Sequence, residues 1–121
     1  NSLGANQLIA ILNSYGMTGS TVTLEQGLHL KSGVSYLENN NLLVTTAFMG
    51  KPEFQKFNQI IVDEDESYAA NSLWINGNVL VPKGFPKTKQ KIEATGYKTI
   101  EVDVSEFKKL DGGLSCLSLR F

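Results

Sequence analysis

The alternation of hydrophobic and polar positions predicts two related β-hairpins. Residues 35–44 read Ser-Tyr-Leu-Glu-Asn-Asn-Asn-Leu-Leu-Val, and residues 72–81 read Ser-Leu-Trp-Ile-Asn-Gly-Asn-Val-Leu-Val, an offset of 37 residues without a gap. In each copy an apolar segment meets an asparagine-rich turn and then a second apolar segment. Asn40 and Gly77 are residue types that tolerate the positive φ of a tight hairpin turn.

Similar segments follow each predicted hairpin. Residues 51–57 and 86–95 each contain a proline near their start and predict short helices, and Gly96 is suited to end the second one. Each helix is followed by a β-rich run, at residues 59–63 and residues 99–103. The repeating unit is therefore hairpin, helix, strand and loop, with a period of about 40 residues.

The two ends of the chain predict fragments of neighbouring units. A helix is expected over about residues 6–15, because apolar side chains recur on one face and Gly16 suits its C-terminal cap. Residues 21–24 and residues 114–121 each predict a strand. Repeats of this size need several neighbours to close a core, so the pattern predicts part of a larger ring or array. A self-contained α+β domain with two hairpins that are similar by chance is the alternative.

Composition and charge exclude several classes of function. The 121 residues fit one ordinary domain, and a hydrophobic fraction of 41% is enough for a core. With 11 basic and 12 acidic residues, the formal net charge of −1 gives no bulk attraction to nucleic acid. No apolar run reaches the roughly 18 residues of a membrane span, and no signal-peptide pattern is visible. The single cysteine permits no internal disulfide, which favours a cytoplasmic setting.

Cys116 and His29 are the only cysteine and the only histidine of the chain. A thiolate nucleophile needs a nearby base or cation, because a free thiol with a pKa of roughly 8.5 is mostly protonated at neutral pH. A histidine close in space could also act as a general acid. A buried structural cysteine and an incidental loop histidine are the alternative. Both residues follow a predicted final strand of a unit, and such loops would gather at one end of a pseudo-symmetric ring.

Other polar segments have simpler expected roles. The run that precedes Cys116 is Leu110-Asp-Gly-Gly-Leu-Ser, in which paired glycines permit close backbone passage beside a ligand. Residues 63–66, Asp-Glu-Asp-Glu, match no metal-binding loop and are expected to form a solvated acidic loop. Four lysines are expected on a solvated helix face: Lys83, Lys87, Lys89 and Lys91. The sequence has no zinc-ligand spacing, phosphate-binding glycine loop or nucleophile elbow.

Three segments resemble motifs of the dimethylarginine dimethylaminohydrolase family. Residues 27–32, Gly-Leu-His-Leu-Lys-Ser, resemble its histidine motif, and residues 65–71, which end Tyr-Ala-Ala-Asn, resemble a segment before the next hairpin. Residues 109–116, Lys-Leu-Asp-Gly-Gly-Leu-Ser-Cys, resemble its C-terminal nucleophile motif. The order and spacing of the segments also fit, and the resemblance covers essentially the whole chain.

The resemblance implies a fold and a domain organisation. The wider guanidine-modifying superfamily has the pentein fold, in which five pseudo-symmetric β-β-α-β units surround a central site. The chain is thus expected to be α+β, a partial pentein (α/β-propeller) of about two units, and a C-terminal fragment of a pentein domain. Its units would be roughly residues 33–71 and 72–121, with residues 1–32 the tail of a preceding unit. The missing N-terminal units, a partner chain or a homo-oligomer would complete the ring.

The resemblance also implies roles for individual residues. Cys116 matches the nucleophile, and His29 matches the general acid and base. Leu110 matches a position whose backbone carbonyl contacts substrate, and Asp111 is its neighbour. Ser32 matches a small polar residue that lines the site. The implied reaction converts N-ω-methylated arginine to citrulline and an alkylamine through a covalent thiouronium intermediate, with neither cofactor nor metal.

The chain departs from the family in one respect. The acidic and arginine side chains that hold the substrate have no match in it, and its single arginine, Arg120, stands elsewhere. The chain alone is therefore expected to be nearly inactive, because charge-assisted pairs supply both orientation and binding energy. Alternatives are an arginine or agmatine deiminase or amidinotransferase relative, and a non-catalytic pentein assembly module. A Cys116→Ser change should leave such a module unaffected.

Overall fold

The computed structural model describes residues 1–25 and 29–119 of the chain. Its strands are β1 Val34–Tyr36, β2 Asn41–Thr45, β3 Asn58–Val62, β4 Leu73–Ile75, β5 Asn78–Pro82 and β6 Lys98–Val102. Its α-helices are α1 Ser2–Ser14, α2 Pro86–Ala94 and α3 Ser105–Lys108. Short 3₁₀ helices lie at Leu30–Ser32, Pro52–Phe54 and Glu64–Ala70. No helix of the described residues is long and apolar enough to cross a membrane.

The two sheets have the same topology, which confirms the predicted hairpins and the strand after each. β1 pairs antiparallel with β2, and β2 pairs parallel with β3. In the second sheet, β4 pairs antiparallel with β5, which pairs parallel with β6. The turns use the predicted residues, with φ of 62° at Asn40 and 76° at Gly77.

One hydrophobic cluster joins the two sheets. Its buried members come from both units: Leu37, Leu43, Ile60, Val62, Ala70, Val79, Val81 and Ile92. The opposite face of β2 is also covered, because Leu42 and Val44 pack with Phe48 and Phe54 in a second cluster. β2 is therefore buried on both faces, and the shared cluster holds the first sheet against β5 and α2 of the second unit.

Three predicted elements differ from the structure. Residues 21–24 are not a strand, and Val22 packs on the second cluster instead. Leu114–Leu119 is not a strand either, because the Leu117 amide donates to the Gly113 carbonyl at 3.2 Å and closes a turn. Arg120 and Phe121 lie outside the described residues. The helix predicted over residues 51–57 is only the 3₁₀ turn Pro52–Phe54.

Three of the four lysines predicted on a helix face, Lys87, Lys89 and Lys91, lie on α2 and form ion pairs there, whereas Lys83 lies in the turn before the helix. Lys87 binds Asp65 at 2.6 Å, and Lys91 binds Asp63 at 2.7 Å. Lys89 pairs with Glu101 on β6 at 2.8 Å. These pairs are half-exposed, so each contributes little stability. Two of them tie α2 to the acidic run of the first unit, and the third ties it to β6.

The acidic run itself is not the solvated loop that the sequence predicts. Residues 64–70 form a 3₁₀ helix, and Glu66 is 6% exposed. Its carboxylate accepts hydrogen bonds from the backbone amides of Lys87 at 3.1 Å and Thr88 at 2.6 Å. Glu66 therefore caps the N-terminus of α2 from outside the helix, where free amides and the helix dipole favour an anion.

Candidate active site

A cavity of about 910 Å³ lies where four connecting segments meet. Its lining comes from the segment before β1, the segment after β2, the 3₁₀ helix after β3 and the C-terminal loop after α3. All five residues predicted from the sequence line it: His29, Ser32, Leu110, Asp111 and Cys116. The structure thus brings together groups that lie up to 87 positions apart in the chain.

Cys116 stands on the turn that begins at Gly113. Its backbone amide donates to the Gly113 carbonyl at 2.9 Å, and its thiol is exposed to the cavity. The Asn71 Nδ2 donates to the Cys116 Sγ at 3.8 Å, and the Asn71 Oδ1 accepts from the Ser115 amide at 2.9 Å.

The surroundings of Cys116 hold the pKa of its thiol below the usual value. The largest cause is a hydrogen bond from the Gly113 backbone, and partial burial opposes it. The Asn71 amide and the charge of Lys31 lower the pKa further. A lowered pKa gives more thiolate at neutral pH, and the thiolate is the nucleophilic form of cysteine.

His29 and Ser32 frame another side of the cavity. His29 is exposed and has an extended backbone, with φ −140° and ψ 140°, directly before the 3₁₀ turn Leu30–Ser32. The Ser32 amide donates to the His29 carbonyl at 3.1 Å. This bond closes the turn, and both residues line the same cavity. The motif residues Gly27 and Leu28 lie outside the described residues.

The C-terminal loop carries Leu110 and Asp111 at the cavity edge. Leu110 is 86% exposed and lines the cavity at its edge. Asp111 has φ 59°, the left-handed conformation that aspartate tolerates. The Gly112 amide closes the loop by donating to the Phe107 carbonyl at 2.9 Å.

An aromatic wall supports that loop. The Tyr68 hydroxyl donates to the Gly112 carbonyl at 2.6 Å, and the Tyr68 and Phe85 ring centroids lie 5.6 Å apart. The Lys108 ammonium lies 5.0 Å from the first ring centroid and 4.9 Å from the second. Burial, and then the charge of Cys116, raise the pKa of Tyr68, which therefore stays a neutral donor at neutral pH.

Sequence reasoning assigned no role to Asn71 or Tyr68, although both lie in the segment whose resemblance was noted. Tyr68 and Asn71 each contact the nucleophile loop, at residues 44 and 45 positions further along the chain. The only signal was their place in the loop between units, which a ring would turn toward its centre. Among the described residues, no group of three or more histidine, cysteine, aspartate or glutamate side chains could hold a metal ion.

The chain is similar to curated proteins over its whole length, although no protein-family model matches it. It is 57% identical over 121 residues to the N(G),N(G)-dimethylarginine dimethylaminohydrolase of Pseudomonas aeruginosa, and covers 48% of that protein. It is 30% identical over 120 residues to the protein of the same name from Streptomyces coelicolor, and covers 46% of it. The chain thus spans about half the length of the curated relatives it matches.

Solved structures show the same relationship. A cysteine-to-serine variant of the Pseudomonas aeruginosa enzyme, complexed with citrulline, superposes with a TM-score of 0.97 at 56% identity, over 100% of this chain and 48% of that one. An amidinotransferase from Microseira wollei gives a TM-score of 0.64 at 17% identity, over 77% of this chain and 32% of that one. The two mixed sheets are therefore a partial piece of the pentein fold, as predicted.

Proposed function

Because the chain is homologous along its whole length to the C-terminal part of the dimethylarginine dimethylaminohydrolases, we propose that it carries the reacting residues of a guanidino hydrolase. The substrate is N-ω-methylated arginine, and the products are citrulline and an alkylamine. The observation that carries this proposal is the common cavity. Cys116 and His29, the only cysteine and the only histidine, open onto it together.

The first half of the proposed reaction forms a covalent intermediate. The Cys116 thiolate attacks the guanidinium carbon, so that a carbon–sulfur bond forms. The bond from that carbon to the methylated nitrogen breaks, and protonated His29 supplies the proton that lets the amine leave. Cys116 then carries a thiouronium group. The lowered pKa of the Cys116 thiol supports this step, since it increases the fraction of the nucleophile that is ionised before substrate arrives.

The second half releases the ureido product. Water attacks the same carbon as His29, now neutral, accepts one of its protons. The carbon–sulfur bond breaks, sulfur leaves as thiolate, and the remaining hydroxyl proton passes to solvent. The net reaction consumes one water molecule, and both Cys116 and His29 return to their starting states. No cofactor or metal enters any step.

Two related structures support the assignment of these roles. One replaces a cysteine by serine, and the other replaces a histidine by glycine and holds an adduct with S-methyl-L-thiocitrulline. In their numbering, the two replaced positions are 87 residues apart. His29 and Cys116 are separated by the same number of positions, and the match to both structures covers 100% of this chain.

The loop contacts suggest how substrate would be held. We propose that the Leu110 backbone carbonyl, Asp111 and Ser32 contact the substrate, since all three residues line the cavity. These groups provide hydrogen-bond acceptors for a guanidinium. The Lys108 ammonium, which also lines the cavity, lies against the rings of Tyr68 and Phe85 and, among the described residues, is not paired to form a carboxylate clamp. We therefore propose that the chain alone is nearly inactive, and that N-terminal pentein units, a partner chain or a second copy complete the site. We also place the reaction in the cytoplasm, where an unpaired thiol stays reduced.

The proposal is tested in a chimera. The segment of the Pseudomonas aeruginosa relative that matches this chain is replaced by residues 1–121, and citrulline formation from asymmetric dimethylarginine is measured. We expect turnover by the chimera and none above background by the chain alone. Cys116→Ser and His29→Gly should each lower kcat by roughly 10³-fold or more, as losses of paired catalytic groups do. Asn39→Gly, at an exposed turn with positive φ, is the matched control.

Each outcome of the chimera experiment separates the alternatives. A folded chimera that hydrolyses arginine or agmatine in preference to dimethylarginine would move the assignment to a deiminase. A folded chimera with no turnover on any guanidino substrate would overturn the hydrolase proposal and favour an assembly module. Turnover by the chain alone would overturn only the proposed need for further units.

A further inference from the structure

We propose that Asn71 is a positioning residue that orients the Cys116 sulfur for nucleophilic attack. We also propose that position 113 is a glycine because a side chain there would prevent the Asn71 side-chain amide from reaching that sulfur. This inference rests on the proposed role of Cys116. It concerns a neutral side chain that neither the charge pattern nor the comparisons assign to the reaction.

The orientation of the Asn71 amide is fixed by its two ends. Its Oδ1 accepts a hydrogen bond from the Ser115 backbone amide at 2.9 Å. An N–H donor at that end requires the oxygen there, so the Nδ2 must point the other way. That way lies the Cys116 Sγ, at 3.8 Å. The Asn71 side chain is buried, since the residue is only 5% exposed, and it hydrogen-bonds both the backbone and the sulfur of the nucleophile turn.

Gly113 leaves the space that this contact needs. A Cβ added at Gly113 would lie 2.6 Å from the Asn71 Cγ and 3.2 Å from its Cβ, and would collide with the Nδ2. The φ of Gly113 is not positive, so backbone conformation does not demand glycine there. Glycine is required there because the Asn71 side chain approaches so closely. The Gly113 backbone is also the largest cause of the lowered pKa of Cys116, so Gly113 and Asn71 both favour the thiolate.

Asn71 is itself anchored in the core of the first unit. The backbone amide of Asn71 donates to the Tyr68 carbonyl at 3.2 Å, and the buried Ser72 hydroxyl donates to the Ala69 carbonyl at 2.8 Å. The Ser35 hydroxyl of β1 holds the Ala70 carbonyl at 2.7 Å. The position of the sulfur is therefore fixed relative to the first sheet through Asn71, and not only by its own loop.

A neutral amide suits this task. It stabilises the thiolate by donating a hydrogen bond, yet it cannot transfer its proton and quench the nucleophile. The same bond would stabilise the sulfur again when it leaves as thiolate. Lys31 also favours the charged sulfur. The other titratable groups that line the cavity are His29, Tyr68, Lys108 and Asp111.

The first test measures how fast iodoacetamide alkylates Cys116 as a function of pH, which needs no substrate and has no background because the chain has one cysteine. Asn71→Ala removes the donor without adding charge. We expect its alkylation midpoint to move to higher pH and its rate at neutral pH to fall about tenfold, the size expected for one hydrogen bond to a charged group. Asn71→Asp should slow it further, since a carboxylate opposes the thiolate. Asn39→Asp, on the exposed hairpin turn, is the control for added charge.

The second test uses the unaltered protein, so it holds even if the variants fold poorly. The side-chain amide of Asn71 is followed by nuclear magnetic resonance as pH changes. We expect its resonances to titrate with the alkylation midpoint, and to lose that titration in Cys116→Ser.

A flat Asn71 resonance, or an Asn71→Ala profile identical to the parent, would overturn this inference. Either result would leave Cys116 free to be the nucleophile. If Asn71 and Cys116 titrate together but the chimera shows no turnover, only the hydrolase proposal is overturned.

Discussion

At the scale of single residues, Cys116 responds to groups that act over different distances. Hydrogen bonds from Gly113 and Asn71 act only on contact, whereas the cation of the exposed Lys31 acts on the thiol over a longer distance through its charge. Salt screens the second kind of interaction and hardly affects the first. Ionic strength can therefore separate the two contributions to the reactivity of the thiol.

Replacing Lys31 by glutamine tests this separation. The cation favours thiolate, so its loss raises the pKa of Cys116 and leaves less thiolate at neutral pH. At low salt we expect iodoacetamide alkylation to slow by roughly twofold, a modest effect because the lysine is exposed. At high salt the variant and the parent should react alike.

The control for the Lys31 experiment is Lys98→Gln, which removes an exposed cation on β6. It should leave the alkylation rate unchanged at any salt concentration. A deficit of Lys31→Gln that persists at high salt would show that Lys31 acts by contact and not through its charge.

Sequence reasoning found residues that have a chemical signature of their own. Cys116 and His29 are unique in the chain, and the resemblance attached roles to Leu110, Asp111 and Ser32. Asn71 could not be found in this way. An amide does not titrate, and its partners on the nucleophile turn are 44 and 45 positions away. Its position relative to the sulfur is set by tertiary packing, which the sequence alone does not display.

At the scale of elements, α2 depends on a residue of another unit. Phe85, at its N-cap position, makes no side-chain hydrogen bond to the helix. Pro86 follows it and has no amide hydrogen to satisfy. The amides of Lys87 and Thr88 are instead satisfied by Glu66, on the 3₁₀ helix after β3. The second unit's helix is thus completed by the first unit.

Glu66→Ala should therefore destabilise the protein by about 2 kcal/mol, because it leaves two helix amides without an acceptor. Glu66→Gln keeps an acceptor oxygen but loses the charge, and should cost less. The free energy of unfolding is measured by urea denaturation. Glu64→Ala changes an exposed glutamate of the same 3₁₀ helix and should stay within about 0.5 kcal/mol of the parent. Equal effects of the two alanine variants would contradict the capping role.

Elements with a strong local pattern were predictable, and those without one were not. Both hairpins combine apolar segments with Asn or Gly at positive φ, and α2 has a proline start and a glycine stop. Residues 21–24 and 114–119 are short apolar runs without a described strand beside them, so their apolar side chains pack as coil and turn. At Pro52–Phe54 the chain keeps only bonds of 3₁₀ type, such as the Gln55 amide to the Pro52 carbonyl at 3.3 Å.

At the scale of the whole molecule, stability is unevenly distributed. The 13-residue helix α1 has no buried residue, and the exposed fractions of Leu3, Leu8 and Ile11 all exceed one half. Isolated helices of this length are marginal in water. α2 has only nine residues, yet it buries Thr88 and Ile92 in the core.

Hydrogen exchange should show this contrast directly. We expect the amides of α1 to exchange well before those of β2, β5 and α2, because local opening is cheapest where little apolar surface is buried. The measurement is native-state exchange followed by mass spectrometry. Protection of α1 equal to that of α2 would contradict the expectation and would indicate that another surface covers the helix.

At this scale the repeat was predictable from the sequence, because two hairpin segments that align without a gap indicate two similar units. The way the units share a core was not. Leu43 and Val62 of the first sheet pack with Val79 and Val81 of the second, and each of these side chains would suit a self-contained core equally well. The repeat-unit boundaries near residues 33, 72 and 121 remain a prediction.

The two contacts that hold the nucleophile loop also set an order of assembly. Tyr68 to Gly112 and Asn71 to Ser115 each close a span of 44 residues, which contains the whole second sheet and α2. Such long closures are entropically unfavourable until the intervening chain has condensed. The contribution of Asn71 to the reactivity of the thiol is therefore expected only after the second unit has folded, whereas the local contribution of Gly113 can form earlier. Full activation of Cys116 is thus expected late in folding.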